Sequence, residues 1–206
     1  MATLVVIRRE GDWTEGAMSS NWANPFVSTA GSFPLIASLN DLDDGNATRE
    51  AVDLALQPQS WVLYFGHGTP AQLGDPALID DRNIGRAVGG IVVAFACSSA
   101  ARLGGAAVRR FGVAAYVGFH GELPVYAVPA SIVAGGILDA LQHLAGGATI
   151  GATFDSLMKS LDDVMKAHHP SRPDHTLNDG LIYLYAWGMS QSARLFGHHN
   201  ARLTAG

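Results

Sequence analysis

Short runs of apolar, often β-branched residues alternate along this chain with longer stretches whose apolar positions recur at helical spacing. The runs are Leu4 to Ile7, Pro34 to Leu39, Trp61 to Phe65, Ile91 to Ala96, Val113 to Phe119 and Leu181 to Trp187. Most are nearly continuous in apolar residues, the pattern of strands buried on both faces. Tyr183, Tyr185 and Trp187 are spaced by two, which assigns them to one face of the last strand. Between the runs, Ala51, Val52, Leu54 and Ala55 mark a short helix that Asn46 or Thr48 can cap. Leu103, Ala107, Val108 and Phe111 share a helical face within Ala101 to Phe111. Ile132, Val133, Ile137, Leu138, Leu141 and Leu144 define another helix, ended by Gly146 and Gly147. The clearest stripe is Ile150, Phe154, Leu157, Met158, Leu161, Val164 and Met165, a core-facing surface that ends before Pro170. Strands alternating with helices imply one α/β domain over residues 1–206, a mostly parallel sheet of about six strands covered on both sides.

Long connections in compact domains are uncommon and tend to carry function. Residues 9–32, holding Trp13 and Trp22, form one; residues 69–83 and 167–180 form two more. The first two leave the carboxyl ends of the first and third strands, the edge where open α/β sheets bind ligands.

Composition narrows the functional classes. Of 206 residues 48% are apolar and only 15% charged, the reverse of a disordered chain. Thirteen basic against 18 acidic residues give a net charge of -5, which speaks against a broad nucleic-acid-binding face. One cysteine builds neither an internal disulfide nor a zinc ribbon. The start, MATLVVIRREGDW, places its charges after the apolar run, unlike a secretory signal. The longest apolar stretch, Val113 to Val133, is interrupted by His120, Glu122, Pro124 and Pro129, so a cytoplasmic, membrane-free protein is expected.

The third strand ends in Tyr64-Phe65-Gly66-His67-Gly68 and the fourth in Ala94-Phe95-Ala96-Cys97-Ser98-Ser99. If the two strands are neighbours, about 4.8 Å apart, imidazole and thiol enter one crevice. That is an arrangement for a cysteine nucleophile, whose thiolate a nearby imidazole can generate. The glycine after His67 lets a backbone N–H approach a developing oxyanion. The same residues also admit plainer roles. A single cysteine at a strand end serves as packing, and a single histidine as a loop residue.

Taken with their order and surroundings, the two motifs resemble the caspase-like cysteine peptidases, the CHAT branch most closely. A strand ending in His-Gly is followed there by one ending in Ala-Cys and small or polar residues. Gly104-Gly105 and the later Gly146-Gly147-Ala148-Thr149-Ile150-Gly151-Ala152 extend the likeness over roughly residues 60–160. The resemblance implies a caspase-like three-layer sandwich and an endopeptidase with Cys97 as nucleophile and His67 as general base. The N–H groups of Gly68 and Cys97 would form the oxyanion hole, and neither cofactor nor metal is implied. It also implies a protein or peptide substrate, an activating partner protein, and a place in bacterial signalling or defence.

Some features depart from that pattern. The His67–Cys97 interval of 30 residues is short for the family. Phe95 stands where relatives often carry a pocket-lining Gln or acid. Phe95, Ser98 and Phe119 are the expected crevice lining. Asp12 and Glu15 are candidates to receive a basic side chain, Arg8 and Arg9 an acidic one; solvated loop charges are the alternative for all four. His120, also before a glycine, is a rival base. His168-His169 and His198-His199 are adjacent pairs that point apart and do not suggest a metal site. Arg109-Arg110 suit the C-terminal turn of a helix. A non-catalytic interaction module and a thiol hydrolase of small molecules are the competing readings.

Overall fold

The computed structural model describes residues 2–9, 11–123 and 127–203, with the side chains of Trp13, Ala127 and Val128 left aside. Pro124, expected to interrupt an apolar stretch, lies outside the described residues. Among the described residues the strands in chain order are β1 (Ala2–Arg8), β2 (Ile36–Asp43), β3 (Trp61–Phe65), β4 (Gly68–Thr69), β5 (Gln72–Leu73), β6 (Ile91–Phe95), β7 (Ala115–Phe119) and β8 (Ala193–Gly197). The helices are α1 (Trp13–Met18), α2 (Asn24–Ala30), α3 (Arg49–Ala55), α4 (Gly105–Phe111), α5 (Ala127–Ala145), α6 (Ile150–Ala167) and α7 (Leu177–Ser192). Six strands form one sheet in the order β2-β1-β3-β6-β7-β8. All pair in parallel except β8, which runs antiparallel to β7. β4 and β5 make a small separate hairpin.

Successive strand residues feed two cores. Leu4, Val6, Leu63, Phe65, Val93 and Phe95 meet Trp22, Phe26 and the apolar faces of α5, α6 and α7. Val5, Ile7, Val62, Tyr64, Val92 and Ala94 meet α3 and α4 on the other side. Among the described residues, N-terminal N–H groups of α1, α3, α6 and α7 are met by the side chains of Asp12, Thr48, Thr149 and Thr176. Thr48, not Asn46, caps α3. No helix among the described residues is long and apolar enough to cross a membrane.

The run Leu181 to Trp187, expected as the sixth strand, lies inside α7, and the sixth strand is β8. The reason lies in the two sides of α7. Ile182, Tyr185, Ala186 and Met189 are buried, while Leu177, Leu181, Leu184 and Trp187 on the opposite side are exposed. The polar half that normally displays the 3.6-residue period is therefore missing, and a continuous apolar run imitates a buried strand. The capping box Thr176–Asp179 starts the helix regardless. Tyr185 is buried and Trp187 is 48% exposed, so those two do not share a face. Helix α6 shows the ordinary pattern, its outer side carrying the i,i+4 pairs Lys159–Asp163 and Lys166–Asp162.

Residues 9–32, expected as an open loop, hold α1, a π-helical turn (Ser19–Ala23) and α2. Trp22 and Phe26 anchor this segment in the core, and the Trp22 indole N–H donates to the Ala130 carbonyl. The connection after β5 is tied to α3 through Asp80. Its carboxylate accepts from Arg49 (3.0 Å), from the Arg82 guanidinium (2.6 and 2.9 Å) and from the Arg82 N–H (2.9 Å). Burial opposes the charge, but the bonds from Arg49 and Arg82 hold this carboxyl well below its ordinary value of 3.8. A depressed carboxyl stabilises the fold above that ordinary value, and the contribution is lost as pH falls toward the folded-state value. Asp80→Asn is expected to cost about 2–4 kcal/mol at pH 7. Urea unfolding at pH 7 and pH 3 should show the variant losing less stability on acidification than the parent chain.

Candidate active site

The pairing of β3 and β6 sets the site. Phe65 lies opposite Phe95, and the Gly66 N–H donates to the Phe95 carbonyl at 3.2 Å. His67 and Cys97 each follow two residues later. Phe65 and Phe95 project to one face of the sheet, where their rings stack 5.2 Å apart. His67 and Cys97 both stand past the last paired position, His67 after Gly66 at φ 158° and Cys97 in a turn, so their side chains are set by local contacts. Cys97 is half-buried against this core. The two backbones also touch: a Cβ on Gly68 would fall 2.6 Å from the Cys97 carbonyl oxygen and 2.8 Å from the Ala96 Cβ. Only glycine permits that approach.

Each side chain is held by a different element. The Cys97 Sγ accepts from the Leu123 N–H at 3.2 Å and faces the Leu123 carbonyl oxygen at 3.8 Å. The next residue, Ser98, takes a left-handed φ of 53°, uncommon for a non-glycine, and its N–H donates to the Gly121 carbonyl. Buried Ser99 donates to the Ala94 carbonyl (3.4 Å) and accepts from the Phe119 N–H (3.2 Å), joining the exits of β6 and β7. The half-exposed His67 ring meets Asp12, Nε2 to Oδ2 at 2.8 Å. Asp12 is simultaneously the N-cap of α1, its other oxygen accepting from the N–H groups of Thr14 and Glu15. Burial works to raise the Asp12 carboxyl, but the bonds from the Glu15 N–H and from His67, with the imidazole charge, leave it below its ordinary value. No hydrogen bond joins His67 to Cys97 among the described residues.

Several sequence candidates occupy other positions. Phe95 and Phe119 are 2% and 1% exposed, inside an aromatic cluster with Phe65 and Trp22, where a substrate does not reach them. Ser98 stays at the crevice, half-buried. Glu15 is 4% exposed, and Asp12 is committed to His67, so neither is a free acid on a loop. Arg8 lies across the β1–β2 edge in a bidentate pair with Asp41 and a longer contact to Asp43. Arg9 donates to the Asp75 carbonyl. His120 is exposed, with its N–H on the Ser192 carbonyl. His168 meets Asp179 and His169 meets Ser171. Leu123, Ser99 and Tyr64 escape a reading of the sequence, because they act through backbone contacts that leave no motif. Asp12, Glu15 and His67 do bring one potential ligand atom each within 4.8 Å of the others, a donor set of the kind divalent cations use. Here the ring and Asp12 bond to each other.

No protein-family model matches the sequence, and no curated protein matches it. Among solved structures, the chain resembles the Arg-specific cysteine proteinase gingipain R (RgpB), with a TM-score of 0.60 and 13% identity over 98% of this chain and 47% of that one. It likewise resembles the complex of the pro- and mature domains of RgpB from Porphyromonas gingivalis, with a TM-score of 0.62 and 11% identity over 98% of this chain and 48% of that one. The chain thus spans about half the length of the gingipain chains. It has the caspase-like α/β fold they share; the nearer likeness to the CHAT branch rests on the sequence motifs alone.

The contact at Gly68 yields a test. Gly68→Ala should push the β3 and β6 exits apart at a cost of about 1–3 kcal/mol, measured by urea unfolding. Alkylation of Cys97 by a small thiol reagent should change rate in the same variant, whereas Gly135→Ala, where a Cβ meets open space, should leave that rate unchanged.

Proposed function

We propose that this chain is a cysteine endopeptidase domain with Cys97 as nucleophile and His67 as proton shuttle. The observation that carries the reading is that both residues stand two positions beyond the paired Phe65 and Phe95, at the carboxyl edge of the sheet. In the proposed reaction the Cys97 thiol passes its proton to His67 and the thiolate attacks the scissile carbonyl carbon. The oxyanion is met by the N–H groups of Gly68 and Cys97. The C–N bond then breaks, the leaving amine takes the proton from the imidazolium, and a thioester remains on Cys97. Water, deprotonated by the now neutral His67, releases the acyl group and the free thiol. Asp12 keeps the ring oriented throughout and stabilises the imidazolium. Thiol and imidazole rest on separate partners in the free chain, so substrate must draw them together, as catalytic contacts often tighten only in the complex.

The preferred substrate class is a partner protein, cleaved within a bacterial signalling or defence assembly, as the CHAT-like motifs imply. The arginine specificity stated for gingipain R is not part of this proposal. The acids that would meet a basic side chain are bound to His67 or buried. A second reading, a non-catalytic module with the same fold, is favoured by the engagement of Cys97 with the Leu123 backbone rather than with His67.

A library of peptidyl thiol-directed probes, read by mass spectrometry, separates the two. The peptidase reading expects labelling at Cys97 well above that of a free thiol, and a fall of about 100-fold in His67→Ala. Labelling no faster than glutathione, unchanged by His67→Ala, would establish the module instead.

A further inference from the structure

Two buried side chains close on the main chain of His67, one at its carbonyl and one at its N–H. The Tyr64 hydroxyl, on a fully buried ring, donates to the His67 carbonyl at 2.8 Å. Glu15, 4% exposed, accepts from the His67 N–H at 3.5 Å. The residue between them is Gly66, where a Cβ would stand 2.8 Å from the Tyr64 Oη and 3.1 Å from the Glu15 Oε1. The glycine is what lets both groups reach the turn.

The energetics do not favour this arrangement on stability grounds alone. A buried carboxylate is costly unless it is well supplied with donors. Among the described residues Glu15 has no ion pair within 4.0 Å, and the donor to its carboxylate is the His67 N–H. The Tyr64 hydroxyl directs its one proton to a carbonyl that already accepts from the Gly74 N–H at 2.8 Å. An apolar pair of similar volume would fill the same space without that cost. What the pair supplies is constraint. Without it, among the described residues, the His67 peptide would be held at its carbonyl by the Gly74 N–H and its ring by Asp12.

We propose that Tyr64 and Glu15 are positioning residues that clamp the His67 peptide and thereby aim its imidazole at Asp12 and the Cys97 crevice. The inference rests on the peptidase reading for its chemical consequence, but the clamp itself does not. Glu15 acts as a hydrogen-bond acceptor in this scheme, not as a charge, so glutamine can replace it. Alanine cannot, and phenylalanine cannot replace Tyr64.

The experiment compares Tyr64→Phe, Glu15→Ala and Glu15→Gln with the parent chain, each checked for folding by thermal unfolding. Two readouts are taken: NMR contacts between the His67 ring and Asp12, and the pH profile of Cys97 alkylation. Tyr64→Phe and Glu15→Ala should lose the ring contacts and move the alkylation profile toward that of His67→Ala, with rates near neutral pH falling about 10- to 100-fold. Glu15→Gln should restore both. Retention of the His67–Asp12 contacts in Tyr64→Phe and in Glu15→Ala would overturn the clamp, as would failure of Glu15→Gln to restore them. If the parent chain and His67→Ala share one alkylation profile, the peptidase reading fails while the ring contacts still decide the clamp. If Glu15→Ala does not fold, Tyr64→Phe, which only removes a hydroxyl, decides between the two outcomes.

Discussion

The central strands β3, β6 and β7, buried at every position between helices on either side, govern where everything else in this molecule can go. Such strands have no room for a charged or reactive side chain along their length, since each position faces one apolar core or the other. Polar chemistry is pushed to the strand ends, where the ladder stops and the backbone turns away. His67 and Cys97 are among the first residues past that limit on β3 and β6. Cys97 packs against the core that holds the aromatic cluster of Phe65, Phe95, Phe119 and Trp22.

Charges follow the same logic at the periphery. Arg8 reaches the edge strand to meet Asp41 and Asp43, Asp80 gathers Arg49 and Arg82, and Asp12 divides its oxygens between a helix end and a histidine. The first joins two strands, and the other two each tie a connection to a regular element. In a chain with few charges, most of those near the site have assigned neighbours. Glu15 differs in kind, a buried acid whose donor among the described residues is a peptide N–H.

The parts of the fold that are legible in the sequence are those in which one physical signal dominates. Trp61 to Phe65 and Ile91 to Ala96 are strongly apolar, short and bounded by turn-forming residues, so the strands and the residues leaving them are readable almost to the position. The stripe on α6 is readable because its outer side is charged. Helix α7 is not, because a helix apolar on two sides has no period to display. The helical character of residues 9–32 is hidden for another reason: its anchors, Trp22 and Phe26, are few and separated by polar residues that suit a loop equally well. At the site, pairs of side chains close in sequence are visible, and contacts made through main-chain atoms are not. Asp12 can be recognised as an acid near the crevice, but its partner is 55 residues away. Only the fold decides that it meets an imidazole rather than a substrate.

The parallel register of β3 and β6 bears on how this architecture tolerates inserted and deleted residues over evolution. The connection between His67 and β6 packs Leu73, Leu78, Ile79, Ile84 and Ala87 into one core, but the register of β3 against β6 is set by the strands themselves. Lengthening it leaves His67 and Cys97 at their strand ends. A single residue gained or lost within either strand, by contrast, would send that strand's side chains to the opposite layer of the sandwich. The interval of 30 residues, short for a caspase-like chain, therefore reflects the connection together with the five residues of β6. The spacing that inheritance must protect is the parity of two five-residue strands.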